Sequence, residues 1–389
     1  MRRPMIARAA DEEHRASTPL ELLFDLTFVV AVSRAAAELA HDVAAGHVGH
    51  AVVAYAMVFF GIWWAWMNFT WFASAYDTDD VGYRLLTLMQ MAGVLVYAAG
   101  IHDAFADADF VVGTIGYVVM RVALVGQWAR AARSDPEHQA TCRRYVVGVS
   151  IIQVAWVLRL LLPPDIAFPM FFVLALADVL VPVWAERPRQ TTWHPEHIAE
   201  RYGLFTIIVL GECILAVTVA LQVVVEEGGW DTDLVLLGAG GLVLLFALWW
   251  MYFLKDAGEG LRRRPQHSFL WGYGHYVVFA SLAALGAGLE VGVEALGHHV
   301  EVSDPVVALA MTVPVALFVV VVWLLHAPLA DGYRATAVPV LGAAVAVLAV
   351  ALLVPLGLSL ALVPWLAALP VALLVATHLD GTGPAPQPG

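Results

Sequence analysis

Lysine is almost missing from this chain: among 20 Lys and Arg residues in a length of 389, Lys255 alone is a lysine. Charge of either sign is thin at 14%, set against 61% apolar residues and a mean hydropathy of +0.78. That balance excludes the two or three soluble domains that the length alone suggests and leaves one helical bundle in a membrane. Cysteine is reduced to Cys142 and Cys213. The first falls in a basic loop and the second inside an apolar span, so neither a disulfide nor dithiol redox chemistry is expected. The first 19 residues are polar and lack an apolar core followed by a small-residue cleavage site, so the first span is expected to act as the targeting signal. Gly-rich phosphate loops, nucleophile elbows and zinc-protease signatures are missing as well. The expectation is therefore no enzyme, no cofactor and no metal.

What is present is about twelve apolar stretches, each near the roughly 20 residues that cross a ~30 Å hydrocarbon core. They fall at approximately 20–41, 49–72, 84–101, 109–129, 145–162, 166–184, 202–222, 233–254, 271–290, 305–325, 335–354 and 357–377. The basic residues alternate between the intervening segments. Arg2, Arg3, Arg8 and Arg15 precede the first span, Arg84 lies between the second and third, and Arg130, Arg133, Arg143 and Arg144 lie between the fourth and fifth. Arg187, Arg189 and Arg201 follow between the sixth and seventh, Lys255 and Arg262 to Arg264 between the eighth and ninth, and Arg334 between the tenth and eleventh. All six loops on the other side carry none. By the positive-inside rule both termini are cytoplasmic and the number of crossings is even.

The net charge of −13 does not suit nucleic acid as a partner, because the basic residues are spread over separate loops rather than gathered on one face. Acidic residues dominate the other side: Asp42, Asp103, Asp107, Asp109, Glu226, Glu227, Asp231, Asp233, Glu301 and Asp304. Their summed potential would concentrate cations there, unless they are no more than solvated loop residues. His41, His47, His50, His102, His298 and His299 lack the one-face spacing of metal ligands, and His194 and His197, three apart before the seventh span, make a similarly weak zinc pair. The residues after His378 read as a short disordered tail.

The two halves match span by span. Glu21 to Val30 reads E-L-L-F-D-L-T-F-V-V and Glu200 to Val209 reads E-R-Y-G-L-F-T-I-I-V, placing Glu six residues before Thr in both. The pattern F-x-x-W-W recurs at Phe60 to Trp64 and Phe246 to Trp250, expected near the cytoplasmic end of each span, and Ala98-Ala99-Gly100-Ile101-His102 meets Gly286-Ala287-Gly288-Leu289-Glu290. The offsets of 179, 186 and 188 residues rise slowly, as one duplication with small insertions would produce. The expected organisation is thus an all-α, polytopic bundle of about twelve transmembrane helices in a 6+6 parallel repeat. Its segments are a cytoplasmic N-terminus 1–19, a first six-helix repeat 20–190, a second 191–378 and a disordered tail 379–389.

Ionised groups in the spans single out candidate functional residues, since each costs about 2.5–3.5 kcal/mol at the bilayer centre on insertion scales. The first span holds Glu21 and Asp25, four residues apart on one helical face, and Arg34 and Glu38 on the other, so it is expected to be enclosed by neighbours. Arg121, Asp178 and Glu212 lie well inside their segments, and Arg159 and Glu290 lie toward the outer ends, where Arg159 can snorkel. Glu212 is the sharpest candidate: it either pairs with Arg121 or Arg34, or exchanges a proton during function, and the two roles are compatible. Gln90, Gln127, Gln153 and Asn68, with Gly288, Gly292 and the Gly238 to Gly241 cluster, read as helix-packing groups.

Pro19-Leu20-Glu21-Leu22-Leu23-Phe24-Asp25-Leu26 resembles the opening motif of the low temperature requirement A family of bacterial membrane proteins. The run from His197 through Glu200-Arg201-Tyr202-Gly203-Leu204-Phe205 to Leu210-Gly211-Glu212 resembles its central motif, and Gly272-Tyr273-Gly274-His275 with Gly286, Gly288 and Glu290 is a looser third match. Similar organisation extends from Thr18 to about His378. The chain departs from the family at Leu23, where a second Phe is common, and at Cys213, where Ser often follows the Glu and would place a hydroxyl beside Glu212. The resemblance implies a multi-pass protein of the bacterial inner membrane, surrounded by lipid and connected by name with growth in the cold; it supplies no substrate.

The leading expectation is a bundle that moves a proton, another cation or a small solute. Glu212, Asp25, Glu21 and Glu200 would supply negative charge, Arg34 and Arg201 would be their partners, and His275 and Glu290 would be outer contributors. The alternative is a non-transporting protein, either a lipid-modifying enzyme or a scaffold that senses membrane state.

Overall fold

The computed structural model of the chain describes residues 3–8, 12, 15–229, 231–298, 300–329 and 337–380. Its regular structure is helical, with no strand among the described residues. Twelve long helices are α1 (Pro19–Ala44), α2 (Val48–Tyr76), α3 (Val81–Ala99), α5 (Val111–Ser134), α6 (Gln139–Arg159), α7 (Pro164–Ala185), α8 (Pro195–Gly228), α9 (Thr232–Tyr252), α11 (Ser268–Leu296), α12 (Asp304–His326), α13 (Ala337–Leu353) and α14 (Val363–Asp380). Two short ones intervene, α4 (Ile101–Ala106) and α10 (Ala257–Arg263). Ten of the long helices are long and apolar enough to cross a membrane. The other two, α1 and α6, are interrupted by Glu21, Asp25 and Arg34 and by Arg143, Arg144 and Arg159. Arg2, Arg334, His299 and residues 381–389 lie outside the described residues, whereas Leu379 and Asp380 continue α14 rather than opening a disordered tail.

Helix starts are written in the sequence. Thr18, Pro19 and Glu21 form a capping box: the Glu21 amide donates to Thr18 Oγ1 at 3.3 Å, and the Thr18 amide donates back to Glu21 Oε2 at 2.8 Å. At α8 the same grammar recurs with His194, Pro195 and His197, the His197 amide donating to His194 Nδ1 at 3.2 Å. Because α8 begins at Pro195, Arg201 is a helical residue with no exposed surface, not a loop cation that sets topology as the sequence suggests.

The chain forms two compact units, one of residues 1–35 and 53–202, the other of 36–52 and 203–389. In the first, α2 takes the central place because it is apolar on every side. It meets α1 through Phe24 and Phe69 with ring centroids 4.0 Å apart, α5 through Phe72 and Trp128 at 4.8 Å, and α7 through Phe60 and Phe171 at 6.0 Å. The helices α3, α5, α6 and α7 pack in chain order. In the second unit α11, α12, α13 and α14 do likewise, and α14 returns to α9.

Lipid offers no hydrophobic drive for helix association, so close contacts rest on small residues and polar links. A Cβ on Gly93 of α3 would stand 2.8 Å from the Gly116 carbonyl of α5, and one on Gly288 of α11 would strike the Ala310 carbonyl of α12. Gln90 donates to Gln127 at 2.8 Å and Gln127 to Thr87 at 3.1 Å, linking α3 to α5 as the sequence suggests.

Three expectations need correction. The helix α1 is not enclosed: Leu23, Leu26 and Val30 form an exposed apolar stripe, opposite the face that buries Glu21 and Asp25. Trp63 and Trp64 are buried in the middle of α2, whereas Trp249 and Trp250 are exposed at the end of α9, so the paired F-x-x-W-W motifs occupy different surroundings. Arg159 does not snorkel. It is 6% exposed, with its guanidinium 4.9 Å from the Phe110 ring centroid and 5.3 Å from that of Phe171.

The N-terminal segment crosses the loop ends of the first unit. The Arg3 amide donates to Asp80 at 3.1 Å and the Ala7 amide to Asp135 at 3.3 Å. Burial pushes both carboxyls up, but Arg130, Tyr83 and Arg3 around Asp80 and His138 and Ala7 around Asp135 outweigh it and hold both below the ordinary carboxylate range. A lowered folded-state value means the stabilisation is complete above about pH 4 and lost as pH falls through the depressed values. Hydrogen exchange, corrected for intrinsic rate, is expected to find residues 3–8 equally protected from neutrality to pH 5 and released only in stronger acid. Release between pH 6 and 5 would contradict these contacts.

Candidate functional site

In the first unit, the opening turns of α1 and α8 face each other with complementary ladders. Glu21 and Asp25 are four residues apart on α1, and His197 and Arg201 are four apart on α8, so each pair lies on one helical face. Arg201 Nε donates to Asp25 Oδ2 at 3.1 Å, its Nη2 donates to Asp25 Oδ1, and its Nη1 lies 3.0 Å from Glu21 Oε1. His197 Nε2 lies 3.1 Å from the same Glu21 oxygen. Trp66 of α2 donates its indole N–H to Asp25 Oδ1 at 2.7 Å. None of Glu21, Asp25, His197 and Arg201 has exposed surface. Arg15 lies 4.0 Å from Glu21 while its guanidinium donates to the carbonyls of Ser74 and Ala73 at the end of α2.

The arrangement places two arginines and a histidine against two carboxylates without lipid contact. Asp25 is taken bidentately by Arg201, the geometry in which a guanidinium binds a carboxylate most strongly. Glu200, named with these residues from the sequence, is not among them. It sits one residue before Arg201, about 100° around the helix, is exposed, and accepts from the Ser17 amide at 3.2 Å. Arg34 is also exposed, nine residues beyond Asp25. Sequence reasoning missed His197 and Trp66. The signal for His197 was its i, i+4 spacing to Arg201, which mirrors that of Glu21 to Asp25.

Arg121 of α5, proposed from the sequence as a partner for Glu212, is engaged by Asp178 of α7 at 3.3 Å. Its Nη2 also donates to Tyr117 at 2.6 Å, and Trp156 donates to Asp178 at 3.2 Å.

The second unit holds Glu212, His275 and Glu290. An open cleft of about 390 Å3 is lined by His41, Val219, Ala220, Val223, Glu290, Glu294 and Glu301. Glu212 of α8 is half-buried and near enough to Glu290 to act on it electrostatically. Between Glu212 and the cleft runs one helical face, since Glu212, Ala216, Val219, Ala220 and Val223 recur at spacings of three and four. His275 is elsewhere. It lies seven residues into α11, on the side of the Arg262 to Arg264 loop, fifteen residues from Glu290, or about 22 Å along the helix. It lies toward the opposite end of α11 from Glu290. Tyr252 O–H pairs with its Nε2 at 3.0 Å, its Nδ1 pairs with the Trp271 carbonyl at 2.7 Å, and Thr206 of α8 hydrogen-bonds Tyr252.

The family model for bacterial low temperature requirement A protein, LtrA, matches residues 16–377, nearly the whole chain. The chain belongs to the LtrA family. That match takes in both ladders of the α1 and α8 cluster and the carboxylates of the second unit. A protein of Rhizobium meliloti (strain 1021), described only as uncharacterized protein RA0937, is 28% identical to this LtrA protein over 295 residues, covering 71% of this chain and 69% of the relative. An LtrA protein with ten helices apolar enough to cross a membrane is a multi-pass helical membrane protein.

Proposed function

We propose that this LtrA family member moves a proton or another small cation through its second unit, with Glu212 as the internal station and the cleft of Glu290, Glu294 and Glu301 as its vestibule. The observation that carries the reading is that the α8 face bearing Glu212 and Ala216 also bears Val219, Ala220 and Val223, which line the acid-lined cleft. On the far side of Glu212, about 9 Å along α8, Thr206 opens the series Thr206, Tyr252, His275, which lines up hydroxyl and imidazole groups toward the opposite face. The buried set of Glu21, Asp25, His197 and Arg201 has a different part in this reading. Its carboxylates already carry their counter-charges, so it clamps α1 to the start of α8 and offers a cation little free charge.

The proposal places the protein in the bacterial inner membrane, with all twelve long helices crossing, both termini cytoplasmic, lipid as its surroundings and no enzymatic reaction. The charged α1 and α6 cross in this scheme because their ionic groups face protein or sit near helix ends. A 6+6 duplication is supported by the shared packing order in the two units. It is supported too by Gly100 and Gly288, 188 residues apart, each of which would bring a Cβ against the backbone of the next long helix, at Gly113 and at Ala310.

The test is flux of protons or cations into vesicles carrying the purified protein under an imposed gradient. Wild-type flux and its loss in Glu212→Gln are expected. Absence of flux in well-folded wild type would favour the scaffold reading, to which the charge-paired α1 and α8 cluster is also suited.

A further inference from the structure

We propose that the aromatic cage around Arg159 is a binding site for a phosphate-bearing anion, held by the guanidinium at the mouth of a cavity between α2, α3, α5, α6 and α7. This cavity, of about 50 Å3, is open to the surface and lies wholly within the first unit, apart from the route assigned to Glu212. Phe60, Tyr97, Phe110, Trp156 and Phe171 line it together with Thr114 and Arg159.

Arg159 carries the argument. It is 94% buried, yet no carboxylate among the described residues lies within ion-pairing distance. Its Nε donates to the Ala167 carbonyl at 2.8 Å, and the rings of Phe110, Phe171 and Trp156 surround its carbon at 4.9, 5.3 and 6.0 Å. Ring faces attract the cation without accepting its in-plane hydrogens, and a guanidinium has five N–H groups. Four therefore point from Nη1 and Nη2 with no protein acceptor among the described residues, and neither Nη is sealed from solvent. Arg121, deeper in the same unit, shows the contrast, since it has its own carboxylate in Asp178. A planar fork with unused parallel donors matches the paired oxygens of a phosphate or phosphodiester.

The cavity sets the size. At roughly 10–15 Å3 for each water admitted, about 50 Å3 accepts a headgroup-sized anion or the first methylenes of a chain. Two sources share this chemistry: the headgroup of an anionic lipid, whose chains would run along the exposed faces of α6 and α7, and free phosphate. Val154, Val157, Leu158 and Leu161 on one side and Phe168 and Phe172 on the other provide those exposed apolar faces.

Native mass spectrometry of the full chain in neutral detergent, with phosphatidylglycerol, diacylglycerol of the same chains and inorganic phosphate added separately, tests the site. A retained phosphatidylglycerol adduct is expected in wild type and in Arg144→Gln, at the other end of α6, and its loss is expected in Arg159→Gln. Retention of inorganic phosphate without the lipid, lost in Arg159→Gln, supports the same anion site and assigns it to the free ion. Gly113→Leu keeps the charge and fills the cavity, since a Cβ there meets Tyr97 only at 3.7 Å, and it should remove the adduct even where Arg159→Gln does not fold. Equal binding of diacylglycerol, an adduct that survives both substitutions, or no adduct of either anion in wild type would overturn the proposal.

Discussion

Arg201→Gln should be the most destabilising single substitution in the first unit, losing about 3–5 kcal/mol, because it leaves Asp25 buried without its counter-charge and Glu21 with only Arg15, at 4.0 Å, and His197. The loss is expected as a lowered melting temperature and aggregation in detergent. Gln cannot replace the bidentate contact to Asp25, and His197 faces only Glu21. A second arm separates lost attraction from stranded charge. The triple substitution Glu21→Gln, Asp25→Asn, Arg201→Gln removes both carboxylates and their nearest guanidinium and leaves Arg15 on the Ser74 and Ala73 carbonyls, and it should recover much of the stability, since a buried pair replaced as a whole is often close to neutral. An Arg201→Gln protein as stable as wild type would mean that α1 and α8 are not held by this cluster. A triple variant less stable than the single one would mean that the ionic form itself supplies the stability.

Glu212→Gln should bring flux down to that of empty vesicles while leaving the melting temperature within about 1 kcal/mol of stability equivalent, as expected for a substitution outside the ion-paired cluster. The graded companion is Glu301→Gln. Glu301 lines the cleft, and in the proposed route its charge concentrates the ion rather than exchanging it. Removing it should raise the concentration needed for half-maximal flux, leave the maximum unchanged, and matter less in high salt. Glu290→Gln, closer to Glu212, should affect both.

Much of the helical frame could be read directly from the chain. Runs of apolar residues with Pro or Asp at their starts gave helices close to those expected, and the capping box at Thr18 to Glu21 is visible as letters. What periodicity does not carry is which of two helices a buried charge faces. Arg121 was matched with Glu212 by depth, but Asp178 on α7 is the carboxylate its helix face meets. Arg201 was counted as a loop residue because the apolar run begins after it, whereas α8 starts at Pro195 and turns Arg201 inward. Helix starts account for where Glu200 falls. Sequence matching aligns Glu21 with Glu200 at 179 residues, but the helix starts Pro19 and Pro195 are 176 apart, and in that register His197 and Arg201 are the counterparts of Glu21 and Asp25. Arg159 was expected to reach for water, and aromatic rings from α5, α6 and α7 make the opposite conformation favourable.

Thiol labelling at Ala216 tests most directly whether the vestibule reaches Glu212. In a background with Cys142 and Cys213 replaced by serine, Ala216→Cys in sealed vesicles should react with a membrane-impermeant reagent applied from the side of Glu301, and excess cation should slow the reaction. If Val219→Cys at the cleft wall reacts while Ala216→Cys stays inert under every condition, the cleft ends above the carboxylate and the proposed route does not exist.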